Sequence, residues 1–227
     1  QYKNTYLGMP ANLEGTYFKT FNRLNNVKRK TNKYSRIVVG VDVGGNDATT
    51  AVARGVIGNY KHMEFFKQYY HKNGVSVGVK TINDYRDDIL NFCHELFLEH
   101  KKIINLYIDS ANNTTLGMIL KQEIDLHYKF IDMKPLPKMK RRRKTKKEKS
   151  VIQERGEVTE LAFGAKYFSI DPIECKQLIK ALESAEYNKK GDLADDGRSD
   201  IDSIDGFWYS WLEDMDIIND TIVKGVR

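Results

Sequence analysis

The chain has 227 residues, 41% of them hydrophobic and 30% charged, with a formal net charge of +6. That length supports one substantial core and is too short for two ordinary domains, while no window approaches the roughly 18 uninterrupted apolar residues of a membrane span. Cys93 and Cys175 are the only cysteines and lack CxxC spacing, which argues against a disulfide framework or a thiolate zinc site and for two reduced core thiols in a reducing cytoplasm.

The polar start Gln1-Tyr2-Lys3-Asn4 has no apolar signal-peptide centre, and a start at Gln suggests a piece of a longer protein. Residues 1–35 are turn-rich and read as a connecting arm. Ile37 to Val43 reads as a buried strand ending near Asp42, followed by a glycine turn at Gly44-Gly45. Ala48 to Ile57 and Met63 to Tyr70 continue it as an antiparallel meander. Asn83 or Asp84 caps a helix running to Glu99, with Ile89, Leu90, Cys93, Leu96 and Phe97 at helical spacing. Ile103 to Ile108 is a fourth strand ending at Asp109, Thr114 to Glu123 a short helix, and Tyr128 to Ile131 a fifth strand that stops before Pro135 and Pro137.

Charge is then concentrated. Lys138 to Lys149 carries nine basic residues (Lys138, Lys140, Arg141, Arg142, Arg143, Lys144, Lys146, Lys147 and Lys149) against one acid, leaving −2 for the other 215 residues. A run of this density gives sequence-independent affinity for DNA phosphates through counterion release, and its place after the prolines suggests a hairpin or loop over 134–150. The plainer alternative is a solvated loop. Val151 to Phe163 is a helix, Tyr167 to Ile170 a short strand, and Asp171-Pro172-Ile173-Glu174 a helix start that carries Cys175, Leu178, Ile179 and Leu182 inward. After a polar loop over 188–198, a last helix runs from Ile201 to Met215. Its apolar stripe is Ile201, Ile204, Trp208, Trp211 and Met215, with Asp202, Asp205 and Tyr209 along its margin.

Asp42, Asp109 and Asp205 therefore stand where an open α/β sheet places its reactive groups. Carboxylates converging there repel one another unless cations neutralise them, and hard oxygen donors suit Mg²⁺ or Mn²⁺. Asp47, Asp195, Asp196 and Asp200 are better explained as a solvated surface. The five histidines have no metal-binding spacing, and Tyr69, Tyr70, Trp208 and Trp211 read as core rather than as base-stacking residues.

The order strand-Asp, meander, helix, strand-Asp, helix, strand, late helix-Asp resembles the ribonuclease H-like nucleases. More narrowly, the chain resembles the C-terminal nuclease domain of the large terminase subunit of tailed bacteriophages. The carriers are Tyr6-Leu7-Gly8, Glu14-Gly15-Thr16-Tyr17-Phe18, Val39-Gly40-Val41-Asp42-Val43-Gly44, Tyr107-Ile108-Asp109-Ser110-Ala111, Lys149-Ser150-Val151-Ile152 and Asp202-Ser203-Ile204-Asp205-Gly206-Phe207-Trp208-Tyr209. In such terminases the last motif often reads His-x-x-Asp-Ala-x-Arg-Tyr; here Asp202, Gly206 and Trp208 replace the histidine, alanine and arginine.

The resemblance implies an α/β fold, a ribonuclease H-like mixed sheet of five or more strands (an antiparallel meander plus parallel strands) flanked by helices. It would span 36–227, with 1–35 as the arm from a missing N-terminal ATPase domain. It also implies a metal-dependent endonuclease that cuts concatemeric phage DNA. Two Mg²⁺ or Mn²⁺ ions would be held by catalytic Asp42, Asp109 and Asp205, with Asp42 bridging from the central strand and Asp202 supporting. Double-stranded DNA, the small terminase subunit and the portal protein are the implied partners, no membrane is, and the setting is the cytoplasm of an infected bacterium. The chain has no GxxxxGK[ST] loop, so it should not drive translocation itself. Two other readings remain open: a catalytically silent DNA-binding or docking module, and a fragment of an actin-like or sugar-kinase-fold ATPase suggested by Gly40-Val41-Asp42-Val43-Gly44-Gly45. The latter needs two such domains and a second glycine loop.

Overall fold

The computed structural model describes residues 16–44, 48–74, 78–109, 114–137, 150–188, 192–195 and 199–225. Strands β1 (Arg36–Val43), β2 (Ala48–Ile57) and β3 (His62–Lys72) form the expected antiparallel meander. On the β1 side, β4 (Ile104–Ile108) and β5 (Ile131–Pro135) add in parallel, and β6 (Phe168–Ile170) pairs in parallel with β3. The resulting mixed sheet has the order β5-β4-β1-β2-β3-β6. Helices α1 (Arg23–Asn26), α2 (Ile82–His100), α3 (Thr114–His127), α4 (Val151–Gly164), α5 (Lys176–Ser184), α6 (Ile201–Trp211) and α7 (Met215–Gly225) flank it. No helix among the described residues is long and apolar enough to cross a membrane.

Because side chains alternate along a strand, β1 feeds two cores. Ile37, Val39 and Val41 point to one face and pack with Ile89, Cys93 and Leu96 of α2 and Leu116 and Leu120 of α3. On the other face Phe65, Phe163, Phe168, Phe207, Trp208 and Trp211 form an aromatic core around α6. The backbone of α6 lies directly on β1. A Cβ on Gly40 would meet Ser210 N at 2.2 Å and the Gly206 carbonyl oxygen at 2.3 Å, and one on Gly206 would meet Thr50 Cγ2 at 2.8 Å. Only glycine at 40 permits this approach. Beyond α6, a 3₁₀ turn over Leu212–Asp214 is tied to the sheet by buried Arg54, whose Nη2 lies 2.5 Å from Asp214 Oδ2. Arg36 Nη1 and the Tyr60 hydroxyl each lie 3.0 Å from Asp214 Oδ1.

Several boundaries differ from the sequence expectation. Thr81 rather than Asn83 or Asp84 caps α2, and Asp84 closes a reciprocal capping box onto it. The fifth strand starts at Ile131, because Tyr128 and Phe130 are apolar through contact with α2, Phe130 stacking on Phe97 at 4.3 Å. Pro135 ends that strand, where an edge position tolerates its missing N–H. Asp171 accepts from the N–H groups of Ile173 and Glu174 in a turn, and α5 proper begins at Lys176. There Gln68 Oε1 from β3 takes the Leu178 N–H at 2.8 Å, so a distant side chain performs the capping. The last helix is two helices, broken at the Arg54–Asp214 pair. Residues 16–35, expected as an arm, contribute Tyr17, Phe18 and Phe21 to the aromatic core. Val27 bridges Ile170 and Lys28 N–H donates to the Ile170 carbonyl at 3.0 Å, covering the β6 edge.

Two glycine substitutions separate these backbone demands. Gly40→Ala should destabilise by about 3 kcal/mol or more, since the helix backbone cannot yield to a methyl group as a flexible side chain would. Gly117→Ala, in α3 with nothing within 4 Å of the added Cβ, should stabilise by about 0.5–1 kcal/mol. Urea unfolding of both variants checks the pair; a neutral Gly40→Ala would refute the close contact.

Candidate active site

The alternation that places Gly40 beneath α6 places Asp42 on the same face, one pleat further toward the end of β1. In the parallel ladder Gly40 pairs with Tyr107 and Val41 with Ile108, so Asp109, just past β4, comes level with Asp42. On the other side Asp42 pairs with Thr50, and Thr50 with Tyr70. Over this row α6 presents Asp202, Asp205 and Tyr209, whose three- and four-residue spacing puts them on one side of the helix. Gly206 lies against β1 and β2 between them, which fixes how near the helix carboxylates stand to the strand carboxylates.

Each acid has a defined surrounding. Asp202 Oδ2 accepts from the Ala48 N–H at 3.0 Å and lies in the first turn of α6, where the helix dipole favours negative charge. Tyr209 donates its hydroxyl to Asp109 Oδ2 at 3.3 Å. Asp205 Oδ1 faces Arg155 Nη1 of α4 at 3.5 Å. Asp200 caps α6 by accepting from Ser203 N–H at 3.2 Å, and Gln177 donates to Asp200 Oδ2 at 2.6 Å. Gln68 donates to Ser203 Oγ at 3.0 Å and to Thr50 Oγ1 at 3.2 Å, binding helix and sheet together beneath the site.

The carboxylates feel one another strongly. Burial first, then the charges of Asp205, Asp202 and Asp109, push Asp42 up to about 8. A side-chain hydrogen bond with Asp202 adds to this, and two carboxyls share such a bond only when one holds a proton. Asp205 is raised to about 6 by burial, with Arg155 opposing the shift and Asp202, Asp109 and Asp195 adding to it. The Tyr70 hydroxyl, on the same row, is raised to about 12 by burial and then by Asp200 and Asp202.

Four hard carboxylates crowded to this degree fit a divalent cation in donor type and charge. The cage is not pre-assembled: among the described residues no three acids, histidines or cysteines already stand as a ligand cluster. Asp109, Asp202 and Asp205 instead engage Tyr209, Ala48 and Arg155.

No family model and no curated protein matches the sequence. Solved structures do match. The large terminase of a thermophilic bacteriophage aligns with a TM-score of 0.65 at 16% identity, over 88% of this chain and 46% of its own. This chain thus spans about half the length of that protein. The nuclease domain of g2p, the large terminase of bacteriophage SPP1, with bound Mn, aligns at 0.54 and 14% identity over 83% of this chain and 96% of its own. The bacteriophage P22 large terminase nuclease domain aligns at 0.60 and 9% identity over 90% and 97%. The chain has the fold of a large-terminase nuclease domain.

Within this terminase-nuclease fold the four aspartates singled out in the sequence share one corner of the sheet. Lys138, Lys140, Arg141, Arg142, Arg143, Lys144, Lys146, Lys147 and Lys149 lie outside the described residues, as do Asp47 and Asp196. Trp208 and Trp211 are fully buried core residues, and Tyr69 donates to Asp88 at 2.6 Å. Among the histidines, His62 bonds Ser169, His71 bonds Asn73, and His100 packs on Tyr34 and Phe66. Arg155 and Gln68 carry no local sequence signal; both reach the site only through tertiary packing.

The raised carboxyls set a pH response in the absence of divalent cation. Folded Asp42 and Asp205 bind protons more tightly than their unfolded counterparts near pH 4, so their stabilising contribution is complete below that pH and is lost as pH rises through about 6 and then about 8. Urea unfolding in chelator should show stability falling over this range, and Asp42→Asn, neutral throughout, should flatten its upper part. A profile shared by wild type and Asp42→Asn would contradict the crowding.

Proposed function

We propose that this chain is the nuclease module of a viral DNA-packaging terminase large subunit, a divalent-metal-dependent endodeoxyribonuclease that cuts concatemeric phage DNA. The observation that carries the reading is the convergence of Asp42, Asp109, Asp202 and Asp205, from β1, the end of β4 and α6, on one corner of a terminase-nuclease fold. Two cations, Mg²⁺ or Mn²⁺, would supply a lowered pKa for the attacking water and charge cover for the leaving oxygen.

The chain's own groups do the positioning. Asp42 stands between Asp109 on the neighbouring strand and Asp205 on the helix, and the three would hold the cations together. Tyr209 orients Asp109 through its hydroxyl, and the Ala48 N–H orients Asp202. Burial and the neighbouring acids push the Asp42 carboxyl up to about 8, and a cation held there would favour its deprotonated form. Double-stranded DNA is the substrate under this reading, and the basic segment Lys138 to Lys149 is its phosphate clamp. The small terminase subunit and the portal protein are the partners in a packaging motor, in the cytoplasm of an infected bacterium, with the ATPase in another domain. One observation favours a second reading, a catalytically silent DNA-binding or docking module: the acids are engaged with Tyr209, Ala48 and Arg155 rather than assembled as ligands.

Nicking of supercoiled plasmid in MnCl₂ or in chelator separates the two. The nuclease reading expects cleavage only with Mn²⁺. It expects Asp42→Ala, Asp109→Ala and Asp205→Ala each to lose more than the roughly 10–100-fold that removing a group that merely orients a ligand costs, with Asp202→Ala inside that range. Full activity in any well-folded member of the trio would remove it from the mechanism.

For the basic segment, replacing Lys140, Arg141, Arg142 and Arg143 with alanine should lower the slope of log K against log salt by about 3 to 4 on duplex DNA, equally for unrelated sequences. An unchanged slope would assign the segment to docking.

A further inference from the structure

Arg155 is the one cation brought into contact with the acid corner among the described residues, and its hydrogen-bonding capacity is largely unused. A guanidinium carries five N–H donors. Here Nη1 makes one long contact, 3.5 Å to Asp205 Oδ1, and Nε is buried with no partner among the described residues. The side chain is 14% exposed, so solvent reaches only part of the group and Nε is shut away from it. A buried donor without a partner is a strained group, a catalytic group or one awaiting a water, ion or ligand, and beside the acid corner Arg155 is placed for the last of these.

The group is held firmly despite this. Its guanidinium carbon lies 5.7 Å from the ring centroid of Trp208 and 5.4 Å from that of Tyr209. Both rings are pinned. Trp208 Nε1 donates to Thr159 Oγ1 at 3.0 Å, and Thr159 Oγ1 donates to the Arg155 carbonyl at 2.8 Å, so the ring is bonded through one residue to the helix turn that carries the arginine. Tyr209 is bonded to Asp109. Stacking on two fixed aromatic faces sets the direction of the guanidinium without consuming its N–H groups. What results is an oriented fork at the wall of the acid corner, with Nη1 toward Asp205 and Nε buried behind it.

Charge balance then identifies what the fork meets. In the cation-free protein Asp205 is the partner of Arg155. If Asp205 turns to a cation, Arg155 is left beside like charge with no anion, which in a half-buried site is unfavourable. A phosphodiester oxygen restores the balance, since it can touch the cations and the guanidinium together, and Arg–phosphate pairing suits the planar fork. We propose that Arg155 is a phosphate-binding residue of the site, which exchanges Asp205 for a DNA backbone phosphate when divalent cations are bound. This rests on the nuclease reading above, and it makes cation and DNA binding cooperative through one side chain.

The test uses the whole chain with Arg155→Met, which keeps the stem on Trp208, and Arg155→Lys, which keeps the charge and loses the fork. A mixed-sequence duplex is titrated by fluorescence anisotropy in CaCl₂ and in chelator, and Mn²⁺ is titrated calorimetrically into DNA-free protein. In CaCl₂, Arg155→Met should bind DNA about tenfold more weakly, with a salt slope lower by about 0.9, the loss of one phosphate contact. In chelator its DNA affinity should equal wild type, and its affinity for Mn²⁺ should rise, because the competing cation at Asp205 is gone. Arg155→Lys should keep the slope and lose part of the affinity, which carries the test should Arg155→Met fail to fold. Unchanged affinity in CaCl₂ for a folded variant, with wild type still binding DNA more tightly in Ca²⁺ than in chelator, would overturn the assignment and leave Arg155 as counterion to Asp205 alone. Wild-type DNA affinity indifferent to divalent cation would overturn the nuclease reading and this assignment together.

Discussion

The structure depends on the contact of two backbones. Helix α6 touches β1 at Gly40, with no side chain between them, and Gly206 of the helix meets Thr50 of β2 from the other side. Helices normally stand off a sheet by the thickness of their side chains. Here the separation is set by main-chain atoms, which cannot rearrange to absorb a change. The distance between the strand carboxylates and the helix carboxylates follows from that contact. The Arg54–Asp214 pair holds the far end of the helix, and Gln68 with Asp200 holds the near end. Breaking a buried ion pair by removing one partner costs about 3–5 kcal/mol, so the arginine resists movement of the α6 terminus even where the pair as a whole adds little to stability.

That rigidity is used against an electrostatic opposition. Asp42 is pushed up to about 8 by burial and by three acid neighbours, a shift that only a fixed scaffold maintains. A looser site would let the carboxylates separate into water. The Ala48 N–H, the Tyr209 hydroxyl, Arg155 and the start of α6 offset part of the repulsion without dispersing the acids. Clustered acids with perturbed protonation, held by a fold shared with terminase nuclease domains, mark this corner as the candidate site.

Much of this was legible in the sequence, for identifiable reasons. Asp42 and Asp109 stand at the ends of short apolar runs that read as buried strands, and Asp202, Asp205 and Tyr209 share a helix margin by their spacing. The glycines at 40 and 206 were visible as residues, but their meaning needs the partner backbone. Arg155 was not legible: in Gln153-Glu154-Arg155-Gly156 it looks like any charged helix position, and its role exists only because α4 packs against Trp208 and Tyr209. The same holds where a distant side chain does local work. Gln68 caps α5 from β3, where α5 begins past Asp171, and Asp214 meets Arg54 in the 3₁₀ turn between the last two helices. Residues 16–35 read as an arm because turn signals outnumber periodicity there, although Tyr17, Phe18 and Phe21 are core.

The central claim is that the four carboxylates form one cation site, and the most direct measurement is anomalous diffraction from crystals of this chain soaked in MnCl₂. The account predicts anomalous peaks enclosed by Asp42, Asp109 and Asp205, with Asp205 rotated away from Arg155. Well-ordered crystals with no peak at that corner, or with Mn²⁺ bound only elsewhere on the chain, would contradict it.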